Sequence, residues 1–304
     1  MKNILIIGGS GFLGSAIIGE LARRVGFAEA SICVPTRRPE RARHLLVMPT
    51  VKLVGADVHD PAALARLMHG QDAVISLVGI LRSAEGEPYG KDFARTHVEL
   101  PKKVAAAAVQ AGVRRVIHVS ALQATTDAPS GYLRSKAAGE VALRAADLDL
   151  TIFRPSVIFG QGDSFLTLFA GLAKIAPFFP LASPDARFAP VWINDVANCV
   201  VDSLQDTASI GHSYNLCGPQ QYSLRELVRY ATVVSGHPRR VIGLPDAIAW
   251  LQAWAMEFLP EPPMTRDNLR SMRVDSVCAD GSALPFGRKA AALEAIAPGY
   301  LAPQ

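Results

Sequence analysis

Several things are scarce in this sequence, and each scarcity removes a class of protein. No stretch of about 20 unbroken apolar residues occurs, as a membrane-spanning helix requires. The most apolar late segment, Phe165 to Ala182, is interrupted by Lys174, Pro177 and Pro180, so an integral membrane protein is not expected. The apolar start, Met1 to Ile7, is cut by Gly8, Gly9 and Gly11 before the core of a signal peptide can form, and a cytoplasmic chain is the expectation. Charge of one sign is also scarce: 31 Lys and Arg stand against 27 Asp and Glu, for a net charge of +4, with no block of like charges. Nucleic acid is therefore not an expected partner. The four cysteines, Cys33, Cys199, Cys217 and Cys278, form no CxxC pair. That spacing argues against a metal site and for a reducing compartment, with each cysteine a small buried hydrophobe. Internal repeats and low-complexity tracts are lacking.

What is present is apolar mass in short pieces. Half of the 304 residues are hydrophobic and 19% are charged, enough for a large α/β unit plus a smaller lobe. Asn3 to Ile7, Ser31 to Thr36, Val51 to Val54, Ala73 to Val78, Arg115 to Val119 and Leu150 to Phe153 read as strands too continuously apolar for a one-sided sheet. Helical patterns lie between them at Leu13 to Val25, Pro61 to His69, Asp92 to Ala111 and Ser130 to Ala146. Strands joined by helical crossovers make a doubly wound parallel sheet that takes ligands at its carboxyl ends. After Arg154 and Pro155 the alternation lapses into proline-rich and aromatic-rich segments.

The first strand runs into Gly8-Gly9-Ser10-Gly11-Phe12-Leu13-Gly14, which satisfies both G-x-x-G-x-x-G and G-x-G-x-x-G. Glycine suits a tight strand-to-helix turn in which a pyrophosphate touches backbone N–H groups at a helix amino terminus. The context, apolar strand before and amphipathic helix after, makes this a Rossmann-type dinucleotide site, with Gly8, Gly11, Phe12, Leu13 and Gly14 as candidate contacts. The expected division is a Rossmann domain over 1–154 and a smaller α/β lobe over 155–304 for substrate or partner, with 187–210 packing back onto the first. At the end of the second strand, where NAD-specific folds place an acid, the chain has Thr36-Arg37-Arg38. A guanidinium grips a 2′-phosphate in two-pronged fashion, so NADP(H) is expected, with NAD(H) left open. The alternative is a pair of solvated surface arginines. Asp57 and Val58 after the third strand, and Val78 and Gly79 at the end of the fourth, are further candidate contacts, or simply turn chemistry.

Tyr132 and Lys136 are four residues apart, on one face of a helix. A phenol titrates near 10, and a nearby ammonium that stabilises phenolate would let it act as an acid or base near neutrality. On an arbitrary helix such a pair would be a solvated face. After the fifth strand of a dinucleotide fold it becomes a candidate catalytic pair.

These runs, with Arg154-Pro155-Ser156-Val157-Ile158-Phe159-Gly160, Pro190-Val191-Trp192-Ile193-Asn194-Asp195-Val196-Ala197 and Tyr214-Asn215-Leu216-Cys217-Gly218-Pro219, make the chain resemble the extended short-chain dehydrogenase/reductase superfamily. Tyr132-Leu133-Arg134-Ser135-Lys136-Ala137 and Thr265-Arg266-Asp267-Asn268-Leu269 are similar to its atypical branch, which holds the NADPH-binding accessory subunit of respiratory complex I and bacterial relatives. The resemblance implies that Lys136 also binds the nicotinamide ribose and that Pro155 lies near the cofactor. It implies a Ser or Thr just past the fifth strand to polarise the substrate oxygen. Here that strand ends Val119-Ser120-Ala121-Leu122-Gln123, so Ser120, Thr125 or Thr126 serves, or the third group is absent. His97 stands near a position where the superfamily often has an asparagine; it is a satisfied core histidine or a proton relay.

Two functions follow. One is an NADP(H)-dependent oxidoreductase or epimerase acting at a carbonyl or carbinol. The other is a non-catalytic NADPH-binding subunit docked on a respiratory or quinone-handling complex. Phe165, Phe169, Phe178, Phe179, Trp192, Trp250, Trp254 and Phe258 favour an apolar or quinone-like ligand, or a protein contact, over a sugar nucleotide. Asp246 to Leu259 carries Ile248, Leu251, Trp254, Ala255 and Phe258 at helical spacing; core packing is expected, with a peripheral membrane or partner contact as the alternative. The sequence leaves the oligomeric state open.

Overall fold

In the computed structural model, which describes residues 1–260, 262–279 and 284–303, the apolar runs become strands of one sheet with helices on both faces, β3 at its edge. Strands β1 (Asn3–Ile7), β2 (Ser31–Thr36), β3 (Val51–Gly55), β4 (Ala73–Ser76), β5 (Arg115–Val119) and β6 (Asp149–Pro155) pair in parallel. The period of two in a strand divides β1 between two cores. Ile4 and Ile6 pack on one side with Ile17, Ile18 and Val200, while Leu5 and Ile7 pack on the other with Leu64, Val104 and Ala108. These four apolar side chains of β1 are fully buried, each contributing roughly 1.5–3 kcal/mol of transfer free energy.

The crossovers are α1 (Phe12–Arg23), α2 (Pro61–Met68), α3 (Lys91–Phe93) running through a π-helical turn into α4 (Leu100–Ala111), and α5 (Gly131–Arg144). Capping sets their ends: Asp60 Oδ1 accepts from Ala62 N–H at 3.0 Å, Gly112 closes α4 at φ +73°, and Ser130 Oγ accepts from Leu133 N–H at 3.2 Å. Between β2 and β3 the chain forms only a 3-10 stretch, Pro39–Val47. Strand β4 stops two residues short of the expected Val78; Leu77 still donates to the Ile7 carbonyl at 2.9 Å, and Val78 and Gly79 then leave the ladder.

Beyond β6 come β7 (Ile158–Phe159), α6 (Leu166–Ala173), β8 (Phe178–Leu181), β9 (Arg187–Phe188), β10 (Val191–Trp192), α7 (Ile193–Gln205), β11 (Ser213–Leu216), β12 (Tyr222–Ser223), α8 (Leu224–Val234), β13 (Arg240–Gly243), α9 (Asp246–Met256) and α10 (Arg266–Ser271). Strand β11 is the seventh strand of the main sheet, whose order is β11-β6-β5-β4-β1-β2-β3, and α7 packs on α1. Three two-stranded sheets, β7 with β10, β9 with β12 and β8 with β13, build the smaller lobe around α6 and α8.

Two expectations need correction. The cysteines are not four separate hydrophobes, because Cys217 and Cys278 form a disulfide across 61 residues. Backbone bonds bring them together: Ala189 N–H donates to the Ser276 carbonyl at 3.0 Å while its own carbonyl accepts from Gly218 N–H at 3.1 Å. Cys33 and Cys199 are free. The helix expected in Asp246 to Leu259 is α9, but its stripe is not core: Ile248, Leu251, Trp254 and Phe258 are exposed, and Ala249 and Ala253 face inward. Among the described residues no helix is long and apolar enough to cross a membrane.

Candidate functional site

The glycine turn is sterically dictated. Gly8 has φ +89°, Gly9 N–H donates to Ile6 and Gly11 N–H to Gly8, at 3.1 and 3.0 Å. A Cβ on Gly14 would stand 2.5 Å from the Gly8 carbonyl oxygen and from Gly9 Cα, so only glycine lets α1 start this close to β1. Gly11 caps α1 without a side-chain acceptor, leaving the first-turn N–H groups to another partner.

Gly8, Ser10, Arg37, Arg38, Asp57, Val58 and Val78 line one cleft of about 410 Å³ at the carboxyl ends of β1 to β4. Arg41 and His59 line it too and were not singled out in the sequence; Arg41 belongs to the 3-10 stretch, where no helical period draws the eye. Asp57 Oδ1 accepts from His59 N–H at 3.0 Å, and its other oxygen lies 3.8 Å from Arg95. Burial, then the charge of Arg95, lowers the His59 pKa. A second cleft, about 650 Å³, adjoins the same turn and is lined by Gly11, Phe12 and Ser15 with Gln161, Asn194 and Tyr300. Leu13 packs against the core under α1. Pro155 is buried at the end of β6, its carbonyl accepting from Leu122 N–H at 3.0 Å, and lines neither cleft.

Tyr132 and Lys136 lie on the inner side of α5. The half-buried Tyr132 ring meets Phe93 and His97 edge-on, with centroids 5.9 and 5.5 Å away. Lys136 is buried, and its Nζ donates to the Val119 carbonyl at 2.8 Å. A Cβ on Gly79 would lie 3.9 Å from that Nζ and 3.7 Å from His97 Nε2, so the end of β4 and the Tyr–Lys helix share one space. His97 is satisfied at both nitrogens: Nε2 accepts from Ile80 N–H at 3.0 Å, which leaves the proton on Nδ1 for Ser135 Oγ at 2.9 Å, and Ser135 donates on to the Tyr132 carbonyl at 2.7 Å. Burial, then the neighbouring Lys136 and His118, drives the His97 pKa down to about 2.

The electrostatics differ from the expected phenolate. Burial pushes the Tyr132 phenol up to about 12, and burial, partly offset by Glu140, brings Lys136 down to about 8. Tyr132 therefore keeps its proton at neutral pH. Glu140, itself buried, is held by Arg154 Nε at 2.8 Å and ties α5 to β6. Ser120 is buried, its N–H given to the Phe153 carbonyl at 2.7 Å, and its enclosed hydroxyl has no hydrogen-bond partner among the described residues. Ala121 packs against Tyr132, and Thr125 and Thr126 are exposed.

The Thr265–Leu269 run has a structural explanation. Thr265 and Asn268 form a capping box, Asn268 Nδ2 reaches the Leu81 carbonyl at 3.1 Å, and Asp267 accepts from Gly131 and Tyr132 N–H.

A doubly wound parallel sheet with a glycine turn opening α1 and an arginine-bearing cleft beyond β2 and β3 defines a dinucleotide-binding α/β protein. Residues 8–165 match the family model described as NAD(P)H-binding, and the chain belongs to that family. It is 32% identical over 282 residues, 90% of this chain and 72% of the other, to NADH dehydrogenase (ubiquinone) 1 alpha subcomplex subunit 9, mitochondrial, of Mus musculus. It is 31% identical over 259 residues, 83% of this chain and 78% of the other, to the ceramide reductase of Caulobacter vibrioides. Its fold is similar to that of the NADPH-dependent quinone oxidoreductase of Escherichia coli complexed with NADPH, with a TM-score of 0.74, 22% identity, and coverage of 98% of this chain and 99% of that one.

Proposed function

We propose that the chain is an NADP(H)-dependent oxidoreductase that reduces the carbonyl of an apolar substrate, with Tyr132 as the proton donor. The observation that carries this reading is the half-buried Tyr132 on the same helix face as the buried Lys136, whose Nζ lies beside Gly79 at the end of β4. The glycine turn fits a pyrophosphate, and Arg37, Arg38 and Arg41 give the adenosine end a cationic grip suited to a 2′-phosphate, so NADPH is preferred to NADH. When bound, the cofactor supplies a hydride to the carbonyl carbon. Tyr132 delivers a proton to the carbonyl oxygen as negative charge develops there, and Lys136 stabilises the resulting phenolate. Ser120, the remaining candidate for a third group, has its hydroxyl enclosed and lines neither cleft.

An apolar substrate agrees with the aromatic lobe and with what two similar proteins are named for, a ceramide and a quinone. Ala121 and Leu122 in place of a hydroxyl, and the likeness to a complex I subunit, favour a second reading: NADPH bound for stability in a subunit or assembly partner of a respiratory complex. Turnover of NADPH against quinones, long-chain ketones and sugar nucleotides separates them. Reduction of either apolar class supports the first reading; silence throughout, with NADPH retained, supports the second.

A further inference from the structure

A surface helix ordinarily buries its apolar stripe and shows water its polar face. Helix α9 does the reverse. It rests on Ala249 and Ala253, and presents Ile248, Leu251, Trp254 and, just past its end, Phe258 outward, with Leu251 61% and Phe258 74% exposed. The β8–β13 pair, which precedes α9 in the chain, also carries exposed apolar residues. In the β8–β13 pair, Phe179, Leu181 and Val241 point into the lobe, while Phe178, Pro180 and Ile242 alternate with them and face out. Ile175, before β8, is 81% exposed. Leu244 N–H donates to the Leu181 carbonyl at 2.9 Å, and only Pro245 separates it from the start of α9.

Cations gather at the sheet end. Lys174 is exposed next to Ile175, Arg239 Nε donates to the Ala173 carbonyl at 2.8 Å, and Arg240 stands in register with Phe178. Among the described residues of these segments the acids are Asp246 and Glu257, and Glu257 is committed to Arg266 at 2.8 Å.

We infer that this face is a docking surface for an anionic lipid bilayer. Exposed aromatic and aliphatic side chains on a helix that cannot span, with Lys174, Arg239 and Arg240 at the start of the preceding strand pair, are what an interfacial segment needs: the apolar tips enter the acyl boundary and the cations meet lipid phosphates. The charge complementarity selects a lipid surface, and an anionic one, over a second copy of this chain. Helix α9 is connected to the site through α10. Trp250 of α9 lies under the Arg270 guanidinium at 5.1 Å, and α10 in turn caps α5 at Tyr132 through Asp267. Docking does not depend on catalysis; combined with the reductase reading, it sets the cleft beside a membrane that holds apolar carbonyl compounds.

The test is co-sedimentation of the full chain with phosphatidylcholine vesicles, with and without phosphatidylglycerol, at low and high salt. The wild type is expected to bind the anionic vesicles, less at high salt, and at most weakly the neutral ones. Leu251→Glu with Trp254→Glu, both at exposed positions, should lower binding by at least about tenfold with an unchanged melting temperature. Lys174→Glu with Arg240→Glu should remove the preference for phosphatidylglycerol. Val109→Glu, at an exposed position of α4, should bind like wild type. Failure of the wild type to bind either vesicle, or binding by the α9 variant equal to wild type, overturns the inference. So does self-association in sedimentation velocity that the α9 variant abolishes while neither protein binds vesicles, since the face would then join two copies.

Discussion

Asp267 caps the helix that carries Tyr132. Its two carboxylate oxygens accept from Gly131 N–H at 2.7 Å and Tyr132 N–H at 3.0 Å, so a residue 135 positions away satisfies two amide donors that the first turn of α5 cannot. Asp267→Ala leaves those donors in a largely buried place and should cost about 1–3 kcal/mol of stability. In the reductase reading kcat should fall more than NADPH affinity, because the cap sets the position of Tyr132 rather than that of the cofactor. Asp267→Asn, which keeps an acceptor, should recover part of both losses. Thermal melting and steady-state kinetics on the same preparations check this.

The arginines at the adenosine end carry the cofactor preference. Arg37→Ala, Arg38→Ala and Arg41→Ala together remove the charge-assisted bonds available to a 2′-phosphate, each worth about 1.5–3 kcal/mol when made. NADPH affinity should drop by roughly tenfold or more while NADH affinity stays nearly constant. Titration calorimetry with both cofactors measures this, and equal affinities in the unmutated protein would remove the assignment.

Lys136 gives the stability a pH signature. Its pKa is about 8 in the folded protein against an ordinary value near 10.5, because burial disfavours the cation. Between these values the unfolded chain holds more protons at this site than the folded one, so stability rises with pH across that window. Below about pH 8 both states are charged and the penalty, on the order of a few kcal/mol, is fully present. Tyr132 works in the opposite sense at higher pH: its proton is held to about 12 when folded, and stability falls from the ordinary tyrosine range upward. Denaturation curves of Lys136→Met should lack the rise between about pH 8 and 10.5 and keep the later fall.

What could be read in the sequence is what repeats locally. The strands from β1 to β6 were legible because each carries a short run of mainly apolar, β-branched residues, densest in β1 and β4, which are buried on both faces, and the glycine turn because Gly8 and Gly14 are forced by φ and by contact. Tyr132 and Lys136 were legible through helical spacing. The seventh strand, β11, is a short segment of mixed exposure, and neither its place beside β6 nor the Cys217–Cys278 bond leaves a local trace. Arg41 escaped because a 3-10 stretch has no strong period, and the capping role of Asp267 because its partners are in another part of the chain. The stripe on α9 was visible, but periodicity reports a stripe without saying which way it faces; small Ala249 and Ala253 let the helix settle on its narrow side and leave the bulky residues outside.

The most direct measurement of the central claim is hydride transfer from NADPH by Tyr132→Phe, alongside NADPH affinity and melting temperature. The substitution removes one hydroxyl from a half-buried ring that makes no hydrogen bond to the protein through it among the described residues, so folding and cofactor binding should hold. The account predicts that turnover of an apolar carbonyl substrate falls by about 10²-fold or more while both other quantities are unchanged. Turnover by Tyr132→Phe equal to that of the wild type would contradict it.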